Sequence, residues 1–548
     1  MNVCPNNFWQ GSGKWVFFFF LSLMLFTGSG HIGGDSMKTY YTVESLVIDG
    51  DLDISNIKPT FDVKEMQGVH RRTRQYIADM TQNGLRPYYS EYGSGMVLAF
   101  LPWYLLGHAL HFIIPLLPHD YYTIFMVSLL NCLLLSILCT YCWAFAMQLG
   151  APPSIAWLLS LALGTGTFVW TYGVKGGGSE LLQAVGLFGA FYHSFCFRKQ
   201  QLPSQLYSAL ILMGIAVLAK FYSFVILPFL LMYTIYPLFT RRFSPTTFNK
   251  MIGYGLGIGL VFIVLFFGYN YMRFGQILET GYGQLAQKGA FTDINLVNIF
   301  TRLYGLTFSI GKGLFIFAPI LLLNFWVFYK FFRLWKAEAL VILGIMFFFM
   351  GLMCISPSWH ADFSWGPRYL LPFVPFLILP ISIITRYYTH RHGRNLVLCG
   401  LIIGGIVQLP SVFMNTTAYI RFTEKADIWD YRWFIPNVSP ILGGYYQIAS
   451  GVHRSITGES LEFPVLLRFR DNNQYNILPG DPYTGSYKYY SLAGYDDWDI
   501  WWLTAWNFST NWIFRMLTLM TMTTLLATAV LSCNKISHRV KIGPDNST

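Results

Sequence analysis

The residues Trp15–Phe26 read WVFFFFLSLMLF, and the polar stretch Gly33-Gly34-Asp35-Ser36-Met37-Lys38-Thr39-Tyr40-Tyr41 follows them closely. A carboxylate that comes directly after an apolar span is costly unless the protein uses it. Gly-Asp-Ser ahead of a helical pattern is also typical of a helix N-cap. Asp35 is therefore either a helix cap or a functional carboxylate at a membrane surface. The positions of the other polar residues in the chain decide between these two interpretations.

Strongly apolar runs recur along the whole chain. Of its 548 residues, 54% are hydrophobic, 18% are aromatic and only 11% are charged. Many runs approach the roughly 20 residues that a helix needs to cross a bilayer. The short alternating segments of a membrane barrel are not seen. The sequence therefore predicts an all-α polytopic membrane protein with about 12 transmembrane helices and further juxtamembrane helices outside the bilayer.

The basic residues give the chain a formal charge of +11, but they do not cluster as a nucleic-acid-binding patch would. They lie in short connectors between apolar runs, which is the pattern of cytoplasmic loops. The eight cysteines avoid the long hydrophilic loops, so the sequence predicts neither a disulfide framework nor a zinc site. The pattern argues against a nucleic-acid partner and indicates contact with membrane lipids.

One apolar segment, at about residues 95–118, differs from the others. It contains two histidines, His108 and His111, and three prolines, Pro102, Pro115 and Pro118. We therefore expect a re-entrant or interfacial element here and not a clean span. If this element does not cross, the basic connectors all fall on one side, which is predicted to be the cytoplasm. These connectors are Arg198-Lys199, Arg241-Arg242, Lys330–Lys336, Arg386–Arg394 and Lys535–Lys541.

The opposite, external side then carries the unusual polar segments. They are the first loop at about residues 31–94, Lys175–Glu180, Lys220, Arg273–Arg302, Ser358–Arg368 and the aromatic-rich residues 415–511. We divide the chain into a membrane module (1–414), a small extracytoplasmic segment (415–511) and a last transmembrane helix with its cytoplasmic tail (512–548). The first apolar run is either a retained span or a cleaved signal peptide, and Asp35 lies outside in both cases.

Short motifs occur in these external segments in a definite order. They are Gly34-Asp35 with Tyr40-Tyr41, Tyr89-Ser90-Glu91-Tyr92-Gly93, Tyr269–Gly275, Ser309–Phe315 and Trp365-Gly366-Pro367-Arg368. Through them the chain, up to about Pro380, resembles the GT-C superfamily of polyprenyl-phosphate-sugar-dependent glycosyltransferases, specifically its bacterial multi-span members. Members of that family often have a second acidic residue after the first-loop aspartate, where this chain has Ser36. The difference leaves the use of a divalent metal open.

The resemblance implies a GT-C-like helical bundle that passes a sugar, with inversion, from a polyprenyl phosphate to an acceptor hydroxyl at the external face. Phosphate is a good leaving group, so one carboxylate that takes the acceptor proton suffices. Asp35 is the first candidate for this base, and Glu91 and Glu44 are the alternatives. A guanidinium that binds two oxygens suits the departing phosphate, and Arg368 is the first candidate. Further substrate-binding candidates are Arg273, Lys220, Lys312, Tyr40, Tyr92 and His360.

Simpler interpretations exist for several of these residues. Lysine and arginine at span ends commonly reach toward lipid headgroups, and a histidine beside Trp359 is commonly structural. His360 with Asp35 and Asp362 could hold a divalent metal, but their spacing does not support such a site.

Two other functions are compatible with the same pattern. A ligase or polymerase of lipid-linked glycans would use the same external face, because fold does not determine function. A transporter would place ionisable residues in mid-membrane and have a cavity that traverses the bundle. The transferase predicts instead that Asp35, Glu91 and Arg368 reach one external cavity. The expected location is the bacterial inner membrane, and the expected acceptor is a glycan, a lipid or a protein.

Overall fold

The structure is a computed structural model. It describes residues 12–55, 87–176, 178–281, 294–423, 432–467, 486–508 and 512–542. The predicted first loop and the predicted extracytoplasmic segment are therefore described in part. Residues 56–86, 424–431, 468–485 and 509–511 of these two regions lie outside the described residues.

Helices dominate the described part of the chain. In chain order they are α1 (Gly13–Thr27), α2 (Gly34–Ile48), α3 (Ser94–Ile113), α4 (His119–Gln148), α5 (Pro153–Thr165), α6 (Val169–Val174), α7 (Ser179–Gln200), α8 (Pro203–Ala219), α9 (Leu227–Thr240), α10 (Pro245–Phe274), α11 (Leu296–Phe308), α12 (Leu314–Phe317), α13 (Asn324–Leu334), α14 (Lys336–Ile355), α15 (Val374–Ile378), α16 (His390–Phe413), α17 (Thr416–Phe422), α18 (Pro440–Thr457), α19 (Trp501–Phe508) and α20 (Trp512–Ile542). Short 3-10 helices cover Phe221–Val225, Pro319–Leu323, Arg368–Phe373, Leu379–Arg386 and Pro436–Val438. Two strands, β1 (Glu462–Leu467) and β2 (Ser486–Ser491), pair antiparallel.

Seven of the described helical segments are long and apolar enough to cross a membrane. They are Ser94–Ile113, His119–Gln148, Pro245–Phe274, Lys336–Ile355, Arg368–Arg386, His390–Phe413 and Phe514–His538. Shorter apolar helices lie at Gly13–Thr27, Pro153–Thr165, Pro203–Ala219 and Leu227–Thr240. The predicted all-α polytopic membrane architecture is therefore confirmed.

Contacts between helix ends bring two of the five basic connectors together at one end of the bundle. At the end of α7, Lys199 donates a hydrogen bond to the carbonyl of Gln148, the last residue of α4, at 3.2 Å. Arg386 donates to the carbonyl of Leu149, the next residue along, at 3.2 Å. Helices α4 and α7 therefore finish side by side. We call the opposite end, where α4 and α7 begin, the site end.

Helix α3 both begins and ends at the site end. Near its beginning, a Cβ on Gly95 would lie 2.5 Å from the backbone nitrogen of Ala219, the last residue of α8. Near its other end, His108 is 2.9 Å from His119, the first residue of α4. A helix whose two ends lie on the same side does not cross the bundle, although this one has the length and composition to do so. We therefore propose that α3 lies along the membrane surface.

The described part of residues 415–511 packs against the membrane helices at the site end. The backbone N–H of Gly311 donates to the carbonyl of Trp433 at 2.9 Å. Tyr445 of α18 donates to the carbonyl of Ile406 in α16 at 2.6 Å. These contacts seat the segment on the loop that precedes α12 and on α16.

Candidate functional site

Asp35 lies in the first turn of α2. The N-cap residue of this helix is Gly33, and no side chain caps it, so the helix-cap interpretation of Asp35 is wrong. The loop before Asp35 is held by its own hydrogen bonds. The Gly33 N–H donates to the carbonyl of Gly176 at 3.3 Å, and the Ser36 hydroxyl donates to the same carbonyl at 3.4 Å. Asp35 therefore occupies a fixed position, where the dipole of α2 also favours a negative charge.

Arg368 connects Asp35 to a second carboxylate. Its Nη2 lies 2.7 Å from Oδ2 of Asp35, and its Nε lies 3.2 Å from Oε1 of Glu180. The same Oε1 of Glu180 accepts a hydrogen bond from Nζ of Lys220 at 2.6 Å. Glu180 is in the first turn of α7, Lys220 directly follows α8, and Arg368 begins a 3-10 helix. Four distant parts of the chain thus meet in one network of two acids and two cations.

The electrostatics of this network keep Asp35 ionised. Burial by itself would raise the pKa of Asp35, but the positive charges of Arg368 and Lys220 oppose it. Hydrogen bonds from Tyr92 and Arg368 act in the same direction as these charges, and together they lower the pKa of Asp35 from 3.8 to about 2. The carboxylate is therefore charged at any physiological pH. Its side chain retains 38% exposure, so it is accessible from the cleft.

Two neighbouring clefts open beside this network. Asp35, Glu180 and Lys220 line the first, and Glu91, Arg273 and Lys220 line the second. Lys220 lies on both, and so do Tyr92 and Ser179. Of the residues predicted from sequence, the structure therefore brings Asp35, Arg368, Lys220, Tyr92, Glu91 and Arg273 to one region.

Glu91 and Arg273 are engaged in holding the loop that precedes α3. Glu91 pairs with Lys38 of α2, with 2.8 Å between Oε1 and Nζ. Arg273 donates through Nη1 to the carbonyl of Ser90 and, at 3.1 Å, to that of Tyr92, while its Nη2 donates to Oδ1 of Asn270 at 2.9 Å. These two residues line the second cleft, but in this structure their contacts fix the loop that carries Tyr92.

Lys312 and His360 lie behind Arg368. Lys312 is fully buried, and its Nζ donates to the carbonyls of Asp362 (3.0 Å) and Ser364 (2.6 Å). Burial and the charges of Arg432 and Arg368 lower the pKa of Lys312. Burial and the neighbouring charges of Lys312 and Arg432 also lower the pKa of His360, to about 3, so this imidazole is neutral. In this structure Lys312 secures the loop that leads into Arg368.

Glu44 and Tyr40 lie further along α2, away from Asp35. The Tyr40 hydroxyl is 2.7 Å from Oγ1 of Thr123 in α4. Glu44 is buried and belongs to a group with His119 and Asp120 whose ligand atoms lie within 4.8 Å of one another. The grouping of His360 with Asp35 and Asp362 does not form such a cluster among the described residues.

Sequence reasoning missed Glu180 as a member of the site. It follows a run of glycines that is typical of a flexible loop, whereas in the structure it begins α7 and its carboxylate joins Arg368 to Lys220. The sequence pattern that could have indicated the position of Glu180 is an acidic residue at the start of a helical pattern.

A second ion network, also missed, lies beside the Asp35 loop. Asp499 binds His31 at 2.6 Å through Oδ1 and Lys175 at 2.9 Å through Oδ2. Burial would raise the pKa of Asp499, but the charges of His31 and Lys175 lower it. Next to Asp499, the side chain of Trp501 donates to the carbonyl of Leu25 at 2.7 Å. We call Asp499, His31 and Lys175 the loop clamp, because they tie the residues before Asp35 to the C-terminal segment.

No protein-family model matches this chain. No curated protein matches it in sequence either. In structure, the chain is similar to the crystal structure of ArnT from Cupriavidus metallidurans bound to undecaprenyl phosphate. The two share 14% sequence identity, and the match covers 81% of this chain and 79% of that chain with a TM-score of 0.43.

Proposed function

We propose that this protein is a membrane glycosyltransferase of the GT-C type, which moves a sugar from a polyprenyl-phosphate donor to an acceptor hydroxyl at the extracytoplasmic face. One observation carries the proposal: the ionised carboxylate of Asp35, which lines a small cleft, is 2.7 Å from the guanidinium of Arg368. Such a transfer does not require a protein side chain that forms a covalent intermediate with the sugar. A base and a fixed cation are sufficient.

The donor phosphate is the natural competitor of Asp35 for Arg368. A guanidinium offers several donors in a fork that matches phosphate oxygens, and Lys220 supplies a second positive charge nearby. When the phosphate pairs with Arg368, Asp35 loses the interaction that contributes most to lowering its pKa. Donor binding therefore makes Asp35 a stronger base at the moment when a base is required.

The transfer then proceeds in one displacement. The acceptor oxygen forms a bond to the anomeric carbon while the bond from that carbon to the phosphate oxygen breaks, and the bonding electrons leave with the phosphate. The acceptor proton moves to the carboxylate of Asp35. Attack from the face opposite the phosphate inverts the anomeric centre. Arg368 and Lys220 stabilise the charge that develops on the departing phosphate, and Glu180 holds both cations in place.

A ligase or polymerase of lipid-linked glycans would need the same carboxylate and guanidinium. It differs from a simple transferase in the acceptor that receives the sugar. A transporter is less favoured, because the charged network lies at helix ends and the two clefts described here share one end of the bundle.

The test is to incubate the purified chain in detergent with a panel of polyprenyl-phosphate sugars and bacterial envelope glycans, and to measure release of the free lipid phosphate. Replacing Asp35 with Asn removes the base and keeps the shape, so we expect turnover to fall by about 10²–10⁴-fold. The matched control is Asp49→Asn, at the exposed C-terminal end of the same helix, which should retain wild-type turnover. Full turnover by Asp35→Asn would show that Asp35 is not the base.

A further inference from the structure

A cluster of metal-ligating side chains lies at the other end of α2 from Asp35. Glu44 of α2 and two residues that begin α4, His119 and Asp120, each place one ligand atom within 4.8 Å of the other two. Glu44 and Asp120 are buried, at 2% and 6% exposure. Two carboxylate oxygens and one imidazole nitrogen thus converge in a protected position, and they come from two different helices.

The surroundings of His119 suit a metal ligand. Its Nε2 lies 2.9 Å from Nδ1 of His108, and its Nδ1 lies 3.3 Å from Oδ1 of Asp120. When Nε2 carries the proton and donates it to His108, the lone pair of Nδ1 faces the Asp120 carboxylate. Two acceptors that face each other are satisfied by a cation between them. An outer partner that fixes the tautomer of a ligating histidine is typical of metal sites.

An independent observation comes from Tyr104 of α3. This side chain is fully buried, and its hydroxyl has no hydrogen-bond partner among the residues that the structure describes. Its ring centroid is 5.9 Å from that of His119, and the hydroxyl interacts electrostatically with both Glu44 and Asp120. A buried hydroxyl is costly without a partner. Water bound to a cation in the cluster would supply one.

We propose that Glu44, His119 and Asp120 hold a divalent cation of the zinc or manganese class, completed by water. Imidazole with carboxylates suits these ions, whereas magnesium prefers oxygen ligands and retains most of its water. Three protein ligands leave a coordination position for the water that Tyr104 would contact. The cation joins α2 to the start of α4, where the hydrogen bond between Tyr40 and Thr123 already connects them.

This cation acts as a structural brace and takes no part in the chemistry proposed for Asp35. Glu44 is nine positions after Asp35 in α2, which is about 14 Å along a helix. The inference does not rest on the proposed glycosyl transfer, and its test does not use activity.

The first measurement is the metal content of the full-length protein, purified in mild detergent without chelators. Elemental mass spectrometry should find about one zinc or manganese ion per chain. After the ion is stripped with EDTA, adding Zn²⁺ or Mn²⁺ should raise the melting temperature by roughly 2–5 °C. A purified protein without bound metal, whose melting temperature neither ion changes after stripping, would overturn the proposal.

Two variants locate the ion. Glu44→Gln and His119→Gln should each weaken Zn²⁺ binding at least about tenfold, while Asp49→Asn, at an exposed acid directly after the same helix, should bind as wild type does. Unchanged binding in both ligand variants would place the ion elsewhere. If these variants do not fold, X-ray absorption on the wild type decides: nitrogen and oxygen ligands support the site, and sulfur ligands contradict it.

Discussion

Arg368 contacts two carboxylates at once, with Nη2 on Asp35 and Nε on Glu180. This double contact depends on the planar fork of a guanidinium, which a lysine ammonium does not reproduce. If the same fork binds the donor phosphate, Arg368→Lys should raise KM for the polyprenyl-phosphate sugar by about 10–100-fold. Such a change corresponds to the binding free energy of one or more hydrogen bonds to a charged group. Donor titration at saturating acceptor measures this.

The matched control is Arg333→Lys. Arg333 is exposed and donates to the hydroxyl of Tyr329, and it lies in one of the basic connectors. Its replacement should leave KM for the donor unchanged. An equal KM in wild type and Arg368→Lys would mean that Arg368 does not hold the phosphate.

The charge on Arg368 also sets the pH response of Asp35. The pKa of this carboxyl is lowered from 3.8 to about 2, so its ion pair stabilises the fold above pH 3.8 and is lost as the pH falls toward 2. In the free enzyme, kcat/KM should therefore show no acid limb from Asp35 between pH 4 and pH 7.

Arg368→Gln removes the strongest of the interactions that lower the pKa of Asp35, and burial then acts in the opposite direction. The acid limb of kcat/KM should move to higher pH by about one unit or more. A profile recorded for both proteins at high enzyme concentration measures this. Profiles that superimpose over the whole range from pH 2 to pH 7 would contradict the coupling of the two residues.

At the scale of single residues, the sequence was informative where polar groups follow apolar runs. Asp35 and Arg368 were predicted to lie near each other because each follows a span on the same predicted side. The direct contact between their side chains, at 2.7 Å, was not predictable from the sequence. Lys312 looked equally suited to bind phosphate. In the structure Lys312 is buried and donates to backbone carbonyls, so it does not line the clefts. The sequence does not predict this burial.

At the scale of elements, apolar length predicted the helices. Pro372, Pro375 and Pro380 lie in a segment that alternates between 3-10 and α-helix, because proline removes backbone donors. Loop conformations were not predictable in this way. Ala361 and Asp362 adopt positive φ angles of 52° and 46°. Such angles are strained for residues other than glycine, and they persist only where surrounding contacts hold them.

The loop clamp yields a prediction at the same scale. Asp499→Asn keeps the shape of the side chain but removes the charge that binds both His31 and Lys175. The loop before Asp35 should then loosen, and small displacements of a catalytic group are costly. We expect kcat to fall by about tenfold while KM for the donor changes little, which is the signature of a positioning residue.

Steady-state kinetics over a range of donor concentrations separates the two constants. The matched control is Asp497→Asn, two residues away, whose carboxylate is 71% exposed and pairs with Arg454. It should behave as wild type. If Asp499→Asn retains both constants, the clamp does not position Asp35.

At the scale of the whole molecule, the sequence predicted the class of protein, and the placement of all five basic connectors on one face stays a prediction. Lys199 and Arg386 do meet at one end of the bundle, through Gln148 and Leu149. The role of residues 415–511 was not predictable, because that segment lacks a motif and its contribution depends on contacts with residues more than 300 positions away. Long-range contacts of this kind leave no local pattern in the chain.

The contact between α1, the first helix of the described residues, and α19 has a consequence for biosynthesis. Trp501 and Trp502 donate to the carbonyls of Leu25 and Phe26, the last turn of α1. A ribosome that adds about 5–20 residues per second needs tens of seconds to pass from one segment to the other. Throughout that interval the last turn of α1 lacks these two partners, so the contact between α1 and α19 forms only after residues 501 and 502 have been synthesised.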